Sequence, residues 1–441
     1  MRPRRAMAGG GPRRQRQRAA AGVCLLAFLP FSASATTEYA VELGESAYSV
    51  KNPFQFPDGT ASPLNRSDTL RSTDIGAAVR VPLPSDRSAL TVGATASQKK
   101  YDALTQLDRT DKQLDVRYQW EYTHLLRGTL RHRFDERLYN YYGGNFTNRE
   151  VPRVQQDVAE IALRITPELQ MPLTYTRSSL RYQDPALSER YNLEDQTIQL
   201  ALTYTAGSRS TVTVGIRQTQ VNFPQRTAAD VAAIDSGYTD REVFVSAEYH
   251  YSERTALVGR IGALDRRFAT LGSRNSSLVA TELSVDYQYS PITALHLRGY
   301  RRPQGNDQAD QRLYVIATGI EGQVDWQATP KTRFTFASAY GTQSYQNFLS
   351  LPGATPTTGT DNYRRFTFGM NYLATPRLIF RMEGLRERYQ PDAANAIATG
   401  GNTAGFGRSL LRLGLSYTFE NMFGRNRAQQ QLDQMRTDTI R

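Results

Sequence analysis

The chain has 441 residues, with 54 Lys plus Arg against 42 Asp plus Glu and a formal net charge of +12. Residues 1–35 hold seven of the arginines and no acid, which leaves 47 bases against 42 acids (a balance of +5) in the rest and excludes a strongly basic nucleic-acid binder. A negative mean hydropathy and the lack of a second long apolar run exclude a helical membrane protein.

Behind the arginine-rich start, Ala19 to Phe31 form a 13-residue, mostly apolar stretch, and Ala33-Ser34-Ala35 place small residues where a signal peptidase cuts. That core is too short to span a membrane, so residues 1–35 read as a secretory signal peptide. The only cysteine, Cys24, lies inside it behind Val23, where a lipoprotein signal needs a small residue. The exported chain then has no cysteine, which excludes disulfides, thiolate metal sites and a cysteine nucleophile.

From Glu38 onward the dominant period is two. Leu114, Val116, Tyr118, Trp120 and Tyr122 alternate with Asp115, Arg117, Gln119 and Glu121, and the pattern recurs at Val243, Val245, Ala247, Tyr249 and at Leu411, Leu413, Leu415, Tyr417, Phe419. Successive side chains of a strand point to opposite faces, so each segment has one apolar and one charged face. The segments run about 11 to 17 residues, roughly twice the usual strand, where a tilted strand needs about 9–11 to cross a bilayer. Aromatics gather toward segment ends, as interfacial girdles require. Backbone groups in lipid must all be paired, so such strands close into a barrel.

Eighteen strands are expected, at 38–50, 67–83, 88–101, 112–123, 126–137, 153–165, 168–182, 192–205, 209–222, 238–251, 254–268, 277–290, 292–302, 312–328, 331–346, 362–374, 377–390 and 408–420, with sixteen as the alternative count. Tight connections, several of them Thr-Pro or Ser-Pro, alternate with longer ones rich in Gly, Pro, Asn and Asp. The fold expected is all-β: a single transmembrane antiparallel β-barrel over 36–420, with short periplasmic turns, long extracellular loops and both termini in the periplasm. Residues 421–441 form a periplasmic tail, with a short helix or disorder expected at 428–435.

Catalytic constellations are nearly absent. His124, His132, His250 and His296 show no metal-ligand spacing and no nucleophile turn, and no glycine loop opens a helix. No enzyme, cofactor or metal is expected, and no plug domain fits before the first strand. The lumen carries the chemistry. By parity Arg117, Arg127, Arg131, Arg133, Arg164, Arg298, Arg381 and Arg412 face inward, with Glu121 and Glu282 among the acids. Most such charges pair across strands and hydrate the wall; Arg127, Arg131 and Arg133, on one face of a single strand, also form a basic ladder suited to carboxylates or phosphates. Tyr139, Tyr141, Tyr142 and Phe348 in the long loops offer surfaces on which sugar rings stack.

Three places resemble the EpsL-type outer-membrane proteins of exopolysaccharide operons, a β-barrel porin family. Gly44-Glu45-Ser46-Ala47-Tyr48 leads to Asn52-Pro53-Phe54-Gln55-Phe56; Arg66-Ser67-Asp68-Thr69-Leu70 opens the second strand; Leu415-Ser416-Tyr417-Thr418-Phe419-Glu420-Asn421 closes the chain's last strand. The resemblance implies export of a secreted exopolysaccharide across the outer membrane, with outer-membrane lipid, the polysaccharide and periplasmic polysaccharide-export components as partners. The alternatives are a general or anion-preferring diffusion porin for small solutes, and a structural outer-membrane anchor for a periplasmic synthesis complex.

Overall fold

A computed structural model of the chain describes residues 37–421, except 60, 63, 84–86, 139–146, 208, 273–274, 305–314, 346–358 and 393–404. The leader, the tail beyond Asn421, and Tyr139, Tyr141, Tyr142 and Phe348 lie outside the described residues.

Eighteen strands form one antiparallel sheet in which each pairs with its neighbours in sequence. They are β1 Glu38–Lys51, β2 Ser67–Pro82, β3 Ala89–Tyr101, β4 Arg109–Tyr122, β5 Leu126–Glu136, β6 Arg153–Arg164, β7 Leu169–Arg181, β8 Leu193–Thr205 and β9 Thr211–Asn222. Then follow β10 Gly237–Ser252, β11 Thr255–Phe268, β12 Ser276–Ser290, β13 Thr293–Gln304, β14 Val315–Thr329, β15 Thr332–Tyr345, β16 Gly359–Thr375, β17 Leu378–Gln390 and β18 Phe406–Glu420. β18 pairs with β1 from Ala40↔Glu420 to Lys51↔Ser409, which closes the barrel and leaves no open edge. The expected boundaries hold to within three residues, the largest shifts being at the starts of β4, β14 and β16.

Alternate rungs divide wall from lumen. One set exposes large apolar side chains, such as Leu43, Ile75, Leu200, Ile216, Val243, Leu283 and Leu413, around the outside. The other turns Glu42, Asp115 and Glu242 into the interior, where they are nearly fully buried. At one end of the barrel six turns are fastened the same way: a Ser or Thr hydroxyl accepts the N–H two residues on. These are Thr123 from Leu125, Thr166 from Glu168, Ser252 from Arg254, Ser290 from Ile292, Thr329 from Lys331 and Thr375 from Arg377. The hydroxyl replaces a strand hydrogen bond that a chain reversing over two to four residues cannot make.

The aromatics expected near segment ends are found there: Tyr118, Trp120, Tyr122, Tyr249, Tyr251, Tyr287, Tyr289, Tyr417 and Phe419 all sit on the short-turn side of the outer wall. Trp120 lies flat over Gly128 on the facing strand, and a Cβ there would come within 2.4 Å of the indole.

The long connections contain structure that the period-two pattern does not announce. α1 (Pro185–Tyr191) starts from Asp184, whose carboxylate accepts from the N–H groups of Ala186 and Leu187, with proline in the first turn. α2 (Ala228–Ile234) starts from Thr227 in the same way. Each is seven residues, too short to show helical periodicity. Four acids in the long connections or at the strand ends beside them then hold neighbouring long connections in place. Asp68 accepts from the N–H of Ala103 and Leu104, Glu150 from Gln183 and Asp184, Asp235 from Thr270 and Leu271, and Asp361 from Asp392. In one sector the connections also bury an apolar cluster at the mouth: Val50, Phe54, Phe56, Leu70, Tyr101, Leu104, Leu107, Tyr182 and Leu187. Val50 and Tyr101 are the last inward rungs of their strands and Leu70 is the next to last of β2, so the cluster sits inside the barrel mouth.

Candidate functional site

The interior wall is the site with chemical content, and its charges fall into two kinds. Most arginines are neutralised within the wall. Arg381 Nη1 lies 3.2 Å from Glu42, which has no exposed surface, and donates to Ser416 Oγ at 2.9 Å. Arg412 is gripped by Glu383 at 3.2 Å, Asp74 at 3.8 Å and Ser46 Oγ. Arg217 and Arg260 flank Glu242 at 2.5 and 3.0 Å, and Arg298 holds Glu282 and Glu321. Glu387 is shared by Arg365 and Arg408, and Asp111 by Lys99 and Arg109. Removing a charge from water is costly unless a partner is placed against it, and the sheet's register supplies that partner on the next strand. Glu42, Asp74, Arg109, Asp111, Arg365 and Arg408 belong to these pairs and are absent from the sequence-based site; without the register, nothing singles them out.

The second kind is concentrated on β4, β5 and β6; elsewhere among the described residues, inward Arg302 of β13 lies over the Tyr300 ring without a carboxylate. Arg131 is paired with Asp115, its Nε at 3.0 Å, and Glu121 is paired with Arg87 at 3.0 Å. Arg133 lies opposite Asp115 and Gln156. Arg117, directly across from Arg131, makes no side-chain hydrogen bond or ion pair with any described residue. Arg164 makes none either. Arg127 donates only to the neutral Gln170 Oε1 at 2.7 Å. Glu160 is a further inward acid on this stretch of wall, facing Thr129 and Thr174 across the strands. Three guanidiniums with no carboxylate in ion-pair contact among the described residues therefore line one sector; Arg127 lies opposite Glu121, which is held by Arg87, and Arg127 and Arg164 lie at the short-turn end of the lumen.

The register places all ten sequence-derived residues on the interior face. Arg131, Arg298, Arg381, Arg412, Glu121 and Glu282 are spent on one another or on nearby charges. Arg117, Arg127 and Arg164 keep free donors in the forked geometry that grips carboxylate or phosphate. His296 stands between Asp286 at 2.6 Å and Asp325 at 3.4 Å, and His132 faces outward beside Asp157. Among the described residues, no three His, Cys, Asp or Glu side chains gather as a metal site.

No protein-family model matches the sequence, and no curated protein matches it. Solved structures similar to it include OccK9 (OpdG) of Pseudomonas aeruginosa, at 11% identity and a TM-score of 0.49 over 87% of this chain and 98% of that one. OccK2 (OpdF) of the same organism is similar at 11% identity and a TM-score of 0.47, with the same coverage. The ferric enterobactin receptor PfeA of Pseudomonas aeruginosa is similar at 11% identity and a TM-score of 0.45, over 88% of this chain and 81% of that one. At these identities nothing about ligand or cargo carries over.

Proposed function

We propose that the chain is an outer-membrane channel through which polar solutes pass passively, with a preference for anions set by Arg117, Arg127 and Arg164. The membrane location is supported by the outward apolar rungs on all sides of a closed sheet, a surface that water would not tolerate and lipid covers. Under that reading the short turns face the periplasm, the long connections face outward, and residues 1–35 are the export signal. A barrel of 16–18 strands leaves room for an aqueous passage. The observation that carries the anion preference is the contrast along the wall: among the described residues most inward charges are paired, while β4–β6 gather three guanidiniums that are not. No step of covalent chemistry is involved. Weak, repeated polar contacts bind a solute without trapping it.

The test is swelling of proteoliposomes in isotonic galacturonate, galactose or glucosamine. Entry is expected fastest for galacturonate, and Arg117→Ala/Arg127→Ala/Arg164→Ala should bring the three sugars level. Equal rates in the wild-type protein sink the preference.

A second reading, export of an acidic polysaccharide, rests on the resemblance at both ends of the chain and on one position. Arg127 and Arg164 stand at the short-turn mouth, where a polymer leaving the periplasm would meet them first. Loss of secreted polymer in a deletion strain with unchanged small-solute uptake would favour export; the opposite pattern favours the diffusion channel.

A further inference from the structure

Outside the barrel, the apolar rungs stop well before the long connections begin. On β16 the outward series runs Tyr372, Met370, Phe368, Phe366 and then Arg364; on β17 it runs Phe380, Met382, Gly384 and then Arg386 and Arg388. Arg364 and Arg388 face each other directly across the two strands, and Arg386 lies opposite Phe366, one outward rung nearer the short turns. All three side chains are exposed. Like charges directly opposed on one sheet face repel, with Cβ atoms only about 5 Å apart.

Among the described residues nothing offsets them. No outward rung of β14 to β18 carries an acid. Glu387, between the two β17 arginines, faces inward and is held by Arg365 and Arg408. Asp392, beyond the strand end, accepts from the N–H of Thr360 two outward rungs further along. The one contact made by the three guanidiniums is that of Arg364 with the Tyr340 ring, 5.5 Å from its centroid. The inner wall neutralises most of its arginines, and Arg153 and Arg181 on the outer wall pair with Glu136 and Glu194. Arg71 and Lys100 also oppose each other outward on β2 and β3; β16 and β17 are distinguished by three forked guanidiniums together, placed where the lipid-facing surface ends.

We propose that Arg364, Arg386 and Arg388 form a docking site for the phosphate-bearing headgroup of a lipid in the leaflet on the long-connection side. An arginine at the last apolar rung lays its stem along the wall and lifts its guanidinium to headgroup height. Forked guanidiniums on two facing strands clamp phosphate oxygens from both sides and relieve the repulsion between Arg364 and Arg388. The lipid's acyl chains then run down the apolar rungs Phe366, Phe368 and Met382. The inference rests on the reading that this wall faces lipid.

The test uses the full-length barrel purified in a zwitterionic detergent, with bisphosphoryl lipid A as the probe and native mass spectrometry as the readout. The variant is Arg364→Gln/Arg386→Gln/Arg388→Gln; the control is Arg153→Gln/Arg181→Gln. Lipid retained by wild type and control, and weakened at least tenfold in the triple variant, supports the site. Equal retention by all three overturns it, as does equal binding of a zwitterionic phosphatidylcholine. Displacement of the lipid by millimolar inorganic phosphate would assign the site to free phosphate and overturns it too. Heat-modifiable gel mobility and insertion into phosphatidylcholine vesicles are read in parallel. A barrel that inserts but ignores lipid A removes this proposal alone, whereas one that never inserts removes the membrane reading itself.

Discussion

Glu42 and Arg117 mark the two ways a charge is kept inside this wall. Glu42 is fully buried and depends on Arg381, so Arg381→Ala strands a carboxylate without its guanidinium. Breaking such a pair is expected to cost about 3–5 kcal/mol, read as a lower urea midpoint for the folded barrel in micelles. Arg117→Ala removes a side chain with no partner among the described residues and should leave that midpoint within about 0.5 kcal/mol of wild type. Equal losses in the two variants would mean that the distinction between structural and available charges is wrong. Parity along each strand was enough to turn the arginines inward. Which of them remain available was not legible, because a partner such as Glu42 for Arg381 lies 339 residues away and appears only with the register.

At the scale of elements, the short turns were legible because their chemistry is local: a hydroxyl, often followed by proline, folds back on its own chain. The long connections were not, because their ties run between segments far apart in sequence. Asp235 joins the connection 223–236 to the connection 269–275. Burial pushes its carboxyl upward, but the N–H groups of Leu271, Thr270 and Ser236 outweigh that and hold it below the usual carboxylate range. A carboxyl lowered in the folded state stabilises above its unfolded value near 4, and that contribution is lost as pH falls through the lowered value. The tie is therefore complete at pH 7 and releases only below about pH 4. Hydrogen exchange at Thr270 and Leu271, corrected for intrinsic rate, should stay slow from pH 7 to 5 in wild type. Asp235→Asn should exchange several-fold faster throughout that range; unchanged protection in the variant would assign the ordering to some other contact. The residues that resemble EpsL-type proteins also act at this scale. Asn52 Nδ2 donates to the Phe56 and Gly407 carbonyls, Phe54 and Phe56 fill the mouth cluster, and Asn421 binds Tyr39 and Thr37 across the β1–β18 seam. Those positions serve closure of the barrel and carry no information about its cargo.

For the whole molecule, the decisive feature is the two-sidedness of one closed sheet. Leu173 faces outward between Ile161 and Leu200, while Thr174 faces inward between Glu160 and Gln199. Leu173→Arg is expected to cost about 2–4 kcal/mol of barrel stability in a bilayer, and Thr174→Arg less than about 1. A similar penalty for both, measured by urea unfolding from vesicles, would contradict a lipid-facing exterior.

The central claim is that a membrane channel draws anions through unmatched arginines on one sector of its wall. The most direct measurement is the reversal potential of the reconstituted protein across a planar bilayer under a tenfold potassium chloride gradient. Wild type is predicted to reverse on the chloride side of zero, and Arg117→Ala/Arg127→Ala/Arg164→Ala to shift toward potassium with the conductance retained. A wild-type channel that selects potassium, or one whose reversal potential ignores the triple substitution, contradicts the account.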